Sequence, residues 1–327
     1  MKDNQILPDI KNNLLSYLRS ELDNQQVSYV SSPTPVTGGF DTSIFRFQLK
    51  GAPNELSRPL ILRLFKKSSQ NRAIFESAVQ SAVADAGYPA PRVFFTCTDE
   101  SVLGGSFMIM ELMPGQTMIN MPIKNLSEML ARAHLHLHSI EVDSIRNSLE
   151  VAGIRQDKYS VEGRLGWLVE EIEAPGCEWL QPGLKWIVEN RPDDPDRLVI
   201  CHGDFHPFNI LTQDGEVSGV LDWSNFLISD PAYDIGITNV IVTVAAPALF
   251  PKIDWIHLIN IYHDYYQKES PIAPIRVEYY EAFRCLMALL EGADGHAAWS
   301  HPETMRRLSE RFQEITSISL TLPKVST

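Results

Sequence analysis

The sequence predicts an α+β fold of two lobes, a small antiparallel β-sheet with a helix followed by a larger, mainly α-helical part. Three observations carry the prediction. Short apolar runs punctuated by glycine and proline crowd the first 113 residues. From residue 114 onward apolar side chains recur mostly at helical spacing. One pair of strand-like runs, around Asp214-Gly215, interrupts that helical stretch. A chain of 327 residues suffices for two ordinary domains or one large bilobed unit, and the change in texture divides it into 1–113 and 114–327.

Taken in order, Ile10, Leu14, Leu15, Leu18 and Leu22 lie at helical spacing, which predicts an opening amphipathic helix. Residues 43–49 alternate and residues 59–65 are densely apolar, with Gly38-Gly39 and Gly51-Ala52-Pro53-Asn54 as turns. A helix is expected over Asn71 to Ala86, stopped by Gly87 and Pro89. Val93-Phe94-Phe95 and residues 106–110 read as two more strands. Beyond Pro114-Gly115, Leu126, Leu130, Ala133, Leu137 and Ile140 mark a helix, and residues 165–168 open another helical region. Residues 210–212 and 217–221 flank Asp214-Gly215, a strong hairpin signal. The longest apolar stretch, Ile235 to Phe250, contains Thr238, Asn239, Thr243 and Pro247. It falls short of the ~20 apolar residues of a membrane span and predicts a buried helix.

Composition narrows the function classes. Hydrophobic residues at 44% and charged residues at 21% support a substantial core. The net charge of −13, from 28 basic and 41 acidic side chains, excludes a diffuse basic footprint for nucleic acid or anionic membrane. Ordinary solubility explains that acidity better than attraction of a cationic substrate. Cys97, Cys177, Cys201 and Cys285 show no C-x-x-C spacing, which argues against a zinc site or disulfide framework and for a reducing compartment. Met1 to Ile10 carries no apolar core of a secretory signal. The expectation is a soluble, cytoplasmic protein whose oligomeric state stays open.

The chemistry concentrates in His202-Gly203-Asp204-Phe205-His206-Pro207-Phe208-Asn209. An H-x-D followed after four residues by Asn is the spacing of a kinase catalytic loop. Phosphoryl transfer needs a carboxylate to orient the acceptor hydroxyl and take its proton, and a nearby neutral oxygen for magnesium. Asp222, at the end of the following hairpin, offers a second carboxylate, which suits a cation that prefers oxygen ligands.

Residues 199–211, then Gly219-Val220-Leu221-Asp222-Trp223, then Asp230-Pro231-Ala232-Tyr233-Asp234, resemble the aminoglycoside phosphotransferase and choline kinase-like family. The resemblance implies a protein-kinase-like fold and an ATP- and Mg2+-dependent transfer to a hydroxyl-bearing small molecule. It runs from about residue 27 to about residue 240 and is specific over 199–234. It implies that Asp204 is the catalytic aspartate, that Asn209 and Asp222 are magnesium ligands, and that Asp230 and Asp234 brace the loop backbone. The segment from Thr37 through Gly38, Gly39 and on to Ser43 resembles the family's first hairpin, whose backbone covers the phosphates, although the full G-x-G-x-x-G is missing. Arg63 stands where many members carry a strand lysine, and Glu76 fits its glutamate partner. A planar fork replaces a point charge there. Glu111 and Met113 correspond to the hinge positions whose main chain reads adenine. Trp223-Ser224 replaces the Phe-Gly of protein kinases and no Ala-Pro-Glu follows, so control by activation-loop phosphorylation is not expected.

Other chemistries fit these residues less well. A metallohydrolase built on His202, Asp204 and His206 leaves Asn209 and Asp222-Trp223 without a task. His134, His136 and His138 look like a metal cluster, but on a helix His136 points away from the other two, which favours structural histidines. Glu170, Glu171, Glu173 and Glu178 fit an acceptor pocket or a solvated acidic face equally well. The functional alternative is a silent kinase-like nucleotide- or ligand-binding protein. The complete set of Asp204, Asn209 and Asp222 speaks against it.

Overall fold

The computed structural model describes residues 3–36 and 42–323. The predicted phosphate-covering Gly38 and Gly39 lie outside the described residues. The chain divides into two compact units, residues 1–115 with 218–224, and residues 116–217 with 225–327. The return of 218–224 is something a single boundary along the chain has no way to express.

The first unit runs α1 (Asp3–Glu21), β1 (Ser28–Val36), β2 (Ser43–Lys50), β3 (Pro59–Leu64), α2 (Gln70–Asp85), β4 (Val93–Cys97), one turn of α3 (Glu100–Leu103) and β5 (Phe107–Glu111). Its sheet has the order β1-β2-β3-β5-β4 with antiparallel neighbours. Phe45 pairs with Leu62 and Phe47 with Leu60. Side chains alternate across a strand, so Leu60 and Leu62 join Leu14, Leu18, Phe47, Phe107 and Ile109 in one core. Each such burial contributes roughly 1.5–3 kcal/mol. The same alternation puts Arg63 on the opposite face from Leu62. Phe65, Met108 and Ala73 of α2 form a second, smaller core.

The second unit continues with β6 (Gln116–Thr117), α4 (Ile123–His138), α5 (Val142–Val151), α6 (Val161–Ile172), α7 (Gln181–Glu189), β7 (Val199–Cys201) and β8 (Ile210–Gln213). β9 (Glu216–Val220) leads into the segment belonging to the first unit. The chain then returns through β10 (Leu227–Ser229), α8 (Pro231–Val240), α9 (Ala246–Leu249), α10 (Trp255–Glu269), α11 (Pro274–Ala293) and α12 (Pro302–Thr316). Asp214 and Gly215 both have positive φ, 53° and 84°, the backbone that an Asp-Gly hairpin turn requires. β7 pairs antiparallel with β10, Cys201 opposite Leu227. Every residue of α8 is buried, as a long apolar run predicts, and it packs closely on α11. A Cβ on Gly236 would sit 2.9 Å from the Glu281 amide nitrogen. No helix of the described residues is long and apolar enough to cross a membrane.

Candidate active site

β7 ends at Cys201 and the chain turns directly into His202-Gly203-Asp204. Gly203 has φ +74°, and a Cβ there would lie 2.2 Å from the Asn225 carbonyl oxygen. Only glycine fits that turn. Asp234, in the first turn of α8, accepts from the His202 amide at 2.6 Å and from the Gly203 amide at 2.8 Å. This is the bracing role expected of it. Thr238, one turn further along α8, donates its hydroxyl to the Phe205 carbonyl at 2.8 Å.

Asp234 is itself held from below. His134 Nε2 of α4 lies 2.9 Å and His138 Nε2 3.4 Å from the same carboxylate oxygen. The Nδ1 atoms of these rings meet the hydroxyls of Tyr262 and Tyr266 of α10, at 2.7 and 2.6 Å. Both pairs are spaced i, i+4, so each helix presents its pair on one face. His134, His138 and Asp234 are close enough to hold a metal ion. However, three of the four ring nitrogens are hydrogen-bonded beneath the loop, and the fourth, His134 Nε2, faces the Asp234 carboxylate as an ion pair. His136 is exposed, as helical geometry requires. Burial would raise the Asp234 carboxyl, but His134 and then His138 outweigh it and hold the group well below the usual carboxylate range. Burial and then the charge of His134 lower His138 to about 4 against the opposing pull of Asp234.

Within the loop, Asn209 Nδ2 donates to the Asp204 carbonyl at 3.0 Å and to its carboxylate at 2.9 Å. With the amide nitrogen so engaged, the amide oxygen is the donor atom left for a hard cation, which fits the predicted ligand role. His206 Nε2 lies 3.5 Å from the Asp204 carboxylate and 3.3 Å from Asn209 Nδ2. Burial alone would raise Asp204; His206, then His202 and Arg284, prevail and hold it at about 2. His202 is buried, and its Nδ1 accepts from the Asp204 amide at 3.2 Å.

The first unit gathers a second group of predicted residues. The Arg63 fork reaches Glu76 at 3.0 Å with one arm and Asp222 at 3.2 Å with the other. Arg63 and Glu76 are buried, whereas the Asp222 side chain is 39% exposed. Asp222 adopts φ +66°, uncommon for a residue with a Cβ and often found at functional sites. Trp223 anchors it. The indole is fully buried, packs edge-on to Tyr88 at 5.9 Å and donates to the Val220 carbonyl at 3.0 Å. Burial pushes Glu76 up, opposed by Arg63 and Arg72, with Asp222 adding to the upward push. Ser43 opens β2, exposed and opposite Leu64. Glu111 ends β5, its amide bonded to the Arg92 carbonyl. Met113, two residues on, lies past the strand and packs on Gly219.

Some readings change. Asp230 does not brace the loop amides. It caps α8 through the Ala232 amide at 2.8 Å and pairs with Arg276 at 2.6 Å, because its place before the helix aims it at the helix end. Glu170, Glu171, Glu173 and Glu178 are all exposed, as a solvated acidic face requires. A cavity of about 350 Å³ in the second unit, lined in part by Tyr159, Ser229 and Tyr280, includes neither Asp204 nor Asn209. Sequence reasoning passed over Arg72, 2.8 Å from Glu76, although its i, i+4 spacing was visible.

Residues 32–280 match the model of the phosphotransferase enzyme family. The chain belongs to that family. Human acyl-CoA dehydrogenase family member 11 is 26% identical over 170 residues, covering 49% of this chain and 22% of that protein. The chain thus matches about a fifth of the length of such relatives. The aminoglycoside 3'-phosphotransferase of Streptomyces fradiae is 24% identical over 212 residues, 60% of this chain and 75% of the relative. Among solved structures, aminoglycoside phosphotransferase APH(4)-Ia superposes with a TM-score of 0.63 at 15% identity, covering 94% of this chain and 98% of the other. The GDP complex of aminoglycoside 2'-phosphotransferase-IIIa gives 0.57 at 17% identity, with 94% and 98% covered. The family member therefore has the α+β, protein-kinase-like fold that the sequence predicted.

Proposed function

We propose that this phosphotransferase moves the γ-phosphate of ATP, with Mg2+, onto a hydroxyl of a small molecule, an antibiotic or a metabolite. The observation that carries the reading is the loop itself. An ionised Asp204 is fixed to Asn209, on a backbone suspended from Asp234 by two amides. A carboxylate held at about 2 is in its base form throughout the neutral range. It accepts the hydrogen bond of the acceptor hydroxyl and takes its proton as the new O–P bond forms and the bond to the β-phosphate oxygen breaks. Positioning and charge neutralisation supply most of the rate.

In this reading, residues 1–113 together with Asp222 handle the nucleotide and the rest carries catalysis and the acceptor. Arg63, oriented by Glu76, addresses the phosphates; Gly38, Gly39 and Ser43 cover them; the main chain of Glu111 and Met113 takes the adenine. Asn209 and Asp222 are the oxygen ligands that would hold Mg2+, which when bound neutralises phosphate charge. A cytoplasmic setting supplies the ATP. Solved relatives in complex with AMP-PNP and hygromycin B, or with GDP, support nucleotide handling by the fold.

The test is ADP release across a panel of hydroxyl-bearing acceptors. Aminoglycosides, amino alcohols and sugars belong in it, and the relatives named as acyl-CoA dehydrogenases add hydroxyacyl thioesters. Asp204→Ala is expected to lower transfer by at least about a hundredfold while still binding Mg·ADP. Near-normal transfer by that variant would remove Asp204 from its role. Nucleotide binding without turnover across the whole panel would favour the silent binding protein instead.

A further inference from the structure

The environment of Glu76 contains a second cation. Glu76 is 1% exposed, yet its two oxygens are divided between two arginines, Oε2 with Arg63 at 3.0 Å and Oε1 with Arg72 at 2.8 Å. Arg72 stands one turn before Glu76 on α2, with its own side chain 37% exposed. Both guanidinium carbons also lie over the ring of buried Phe65, at 5.5 Å for Arg63 and 5.9 Å for Arg72. Two cations thus share one aromatic floor and one carboxylate.

Resting on the kinase reading above, we infer that Arg72 is a positioning residue for nucleotide binding, acting through Glu76 on Arg63. A buried carboxylate between one cation and a second carboxylate is poorly compensated. Arg63 divides its fork between Glu76 and Asp222, so alone it offers one positive charge to two negative ones. Arg72 adds a second positive charge on the other oxygen of Glu76, so that carboxylate no longer depends on Arg63 alone. Glu76 then has the stronger hold on one arm of the fork, and the guanidinium plane stays where the phosphates are to meet it. This matters more with arginine than with lysine at position 63, because a planar fork has an orientation to lose and a point charge does not.

The test uses the full chain and Mg·ADP as the probe, measured by calorimetry alongside steady-state kinetics and thermal melting. Arg72→Ala is expected to weaken Mg·ADP binding and raise the KM for ATP by about tenfold, a typical coupling within one charged network. The kcat at saturating ATP should change by less than about twofold. Arg72→Lys should recover most of the affinity. In a Glu76→Gln background, Arg72→Ala should have no further effect; if Glu76→Gln does not fold, Arg63→Lys serves, with the Arg72 effect expected to shrink. A purely structural pair would instead shift the melting temperature and leave Mg·ADP affinity unchanged. Wild-type affinity in folded Arg72→Ala, or an undiminished effect in both backgrounds, overturns the inference while the kinase reading stands. Failure of the wild type itself to bind Mg·ADP overturns the reading and the inference with it.

Discussion

Gly203 shows how little freedom the loop leaves at a single residue. Its backbone is left-handed, and a side chain would have to displace the Asn225 carbonyl. Gly203→Ala is expected to cost about 1–3 kcal/mol in backbone strain alone, and more if the loop gives way. Thermal melting should show the loss, and kcat should fall by more than about tenfold with Mg·ADP affinity nearly intact. An alanine variant with unchanged kcat would mean that the loop relaxes without moving Asp204. At this scale the sequence was most legible where partners are close in the chain. Asp204 and Asn209 lie five residues apart and do pair. Arg63 and Asp222 lie 159 residues apart, and without the family resemblance nothing local joins them.

Among elements, the decisive arrangement is three helices holding one loop. α8 supplies Asp234 and Thr238, α4 the two histidines, and α10 the two tyrosines. Asp234→Asn would turn an amide N–H toward groups that already donate. Breaking a buried network of this kind costs about 3–5 kcal/mol. Urea unfolding of Asp234→Asn should show a loss of that order, and a variant as stable as the wild type would remove Asp234 from its bracing role. The strands and helices of the first unit followed largely from apolar periodicity, but α8 did not end as a uniform helix. Residues 241–245 form a π turn leading into α9. Thr243 there donates its hydroxyl to the Asn239 carbonyl at 2.7 Å, a local bond that competes with the helical ladder. Such a bulge leaves the apolar pattern unchanged, so periodicity has no means of revealing it.

For the whole molecule, the buried histidine and aspartate make stability depend on pH in a definite direction. His138 has a folded pKa of about 4, below the ordinary 6.5, so the unfolded chain binds more protons between those values. Stability is full above pH 6.5 and falls as the pH drops toward 4. Asp234 is depressed below the usual carboxylate range, so its contribution is present above about pH 4 and is lost below it. Calorimetric melting temperatures should therefore decline from pH 6.5 to 4 and more steeply beneath. His138→Asn should flatten the first interval, and an unchanged slope in that variant would place the proton uptake elsewhere. The sequence by itself determined the strands and helices of the first 113 residues, the His202–Asn209 loop with its Asp204–Asn209 spacing, and the hairpin that precedes Asp222. These are set by periodicity, turn chemistry and short-range geometry. Tertiary structure decided which groups sustain those residues: Asp234 rather than Asp230 beneath the loop, His134 and His138 behind Asp234, and Arg72 beside Glu76. Those choices depend on burial and on charges brought together from distant elements, and a linear pattern carries neither.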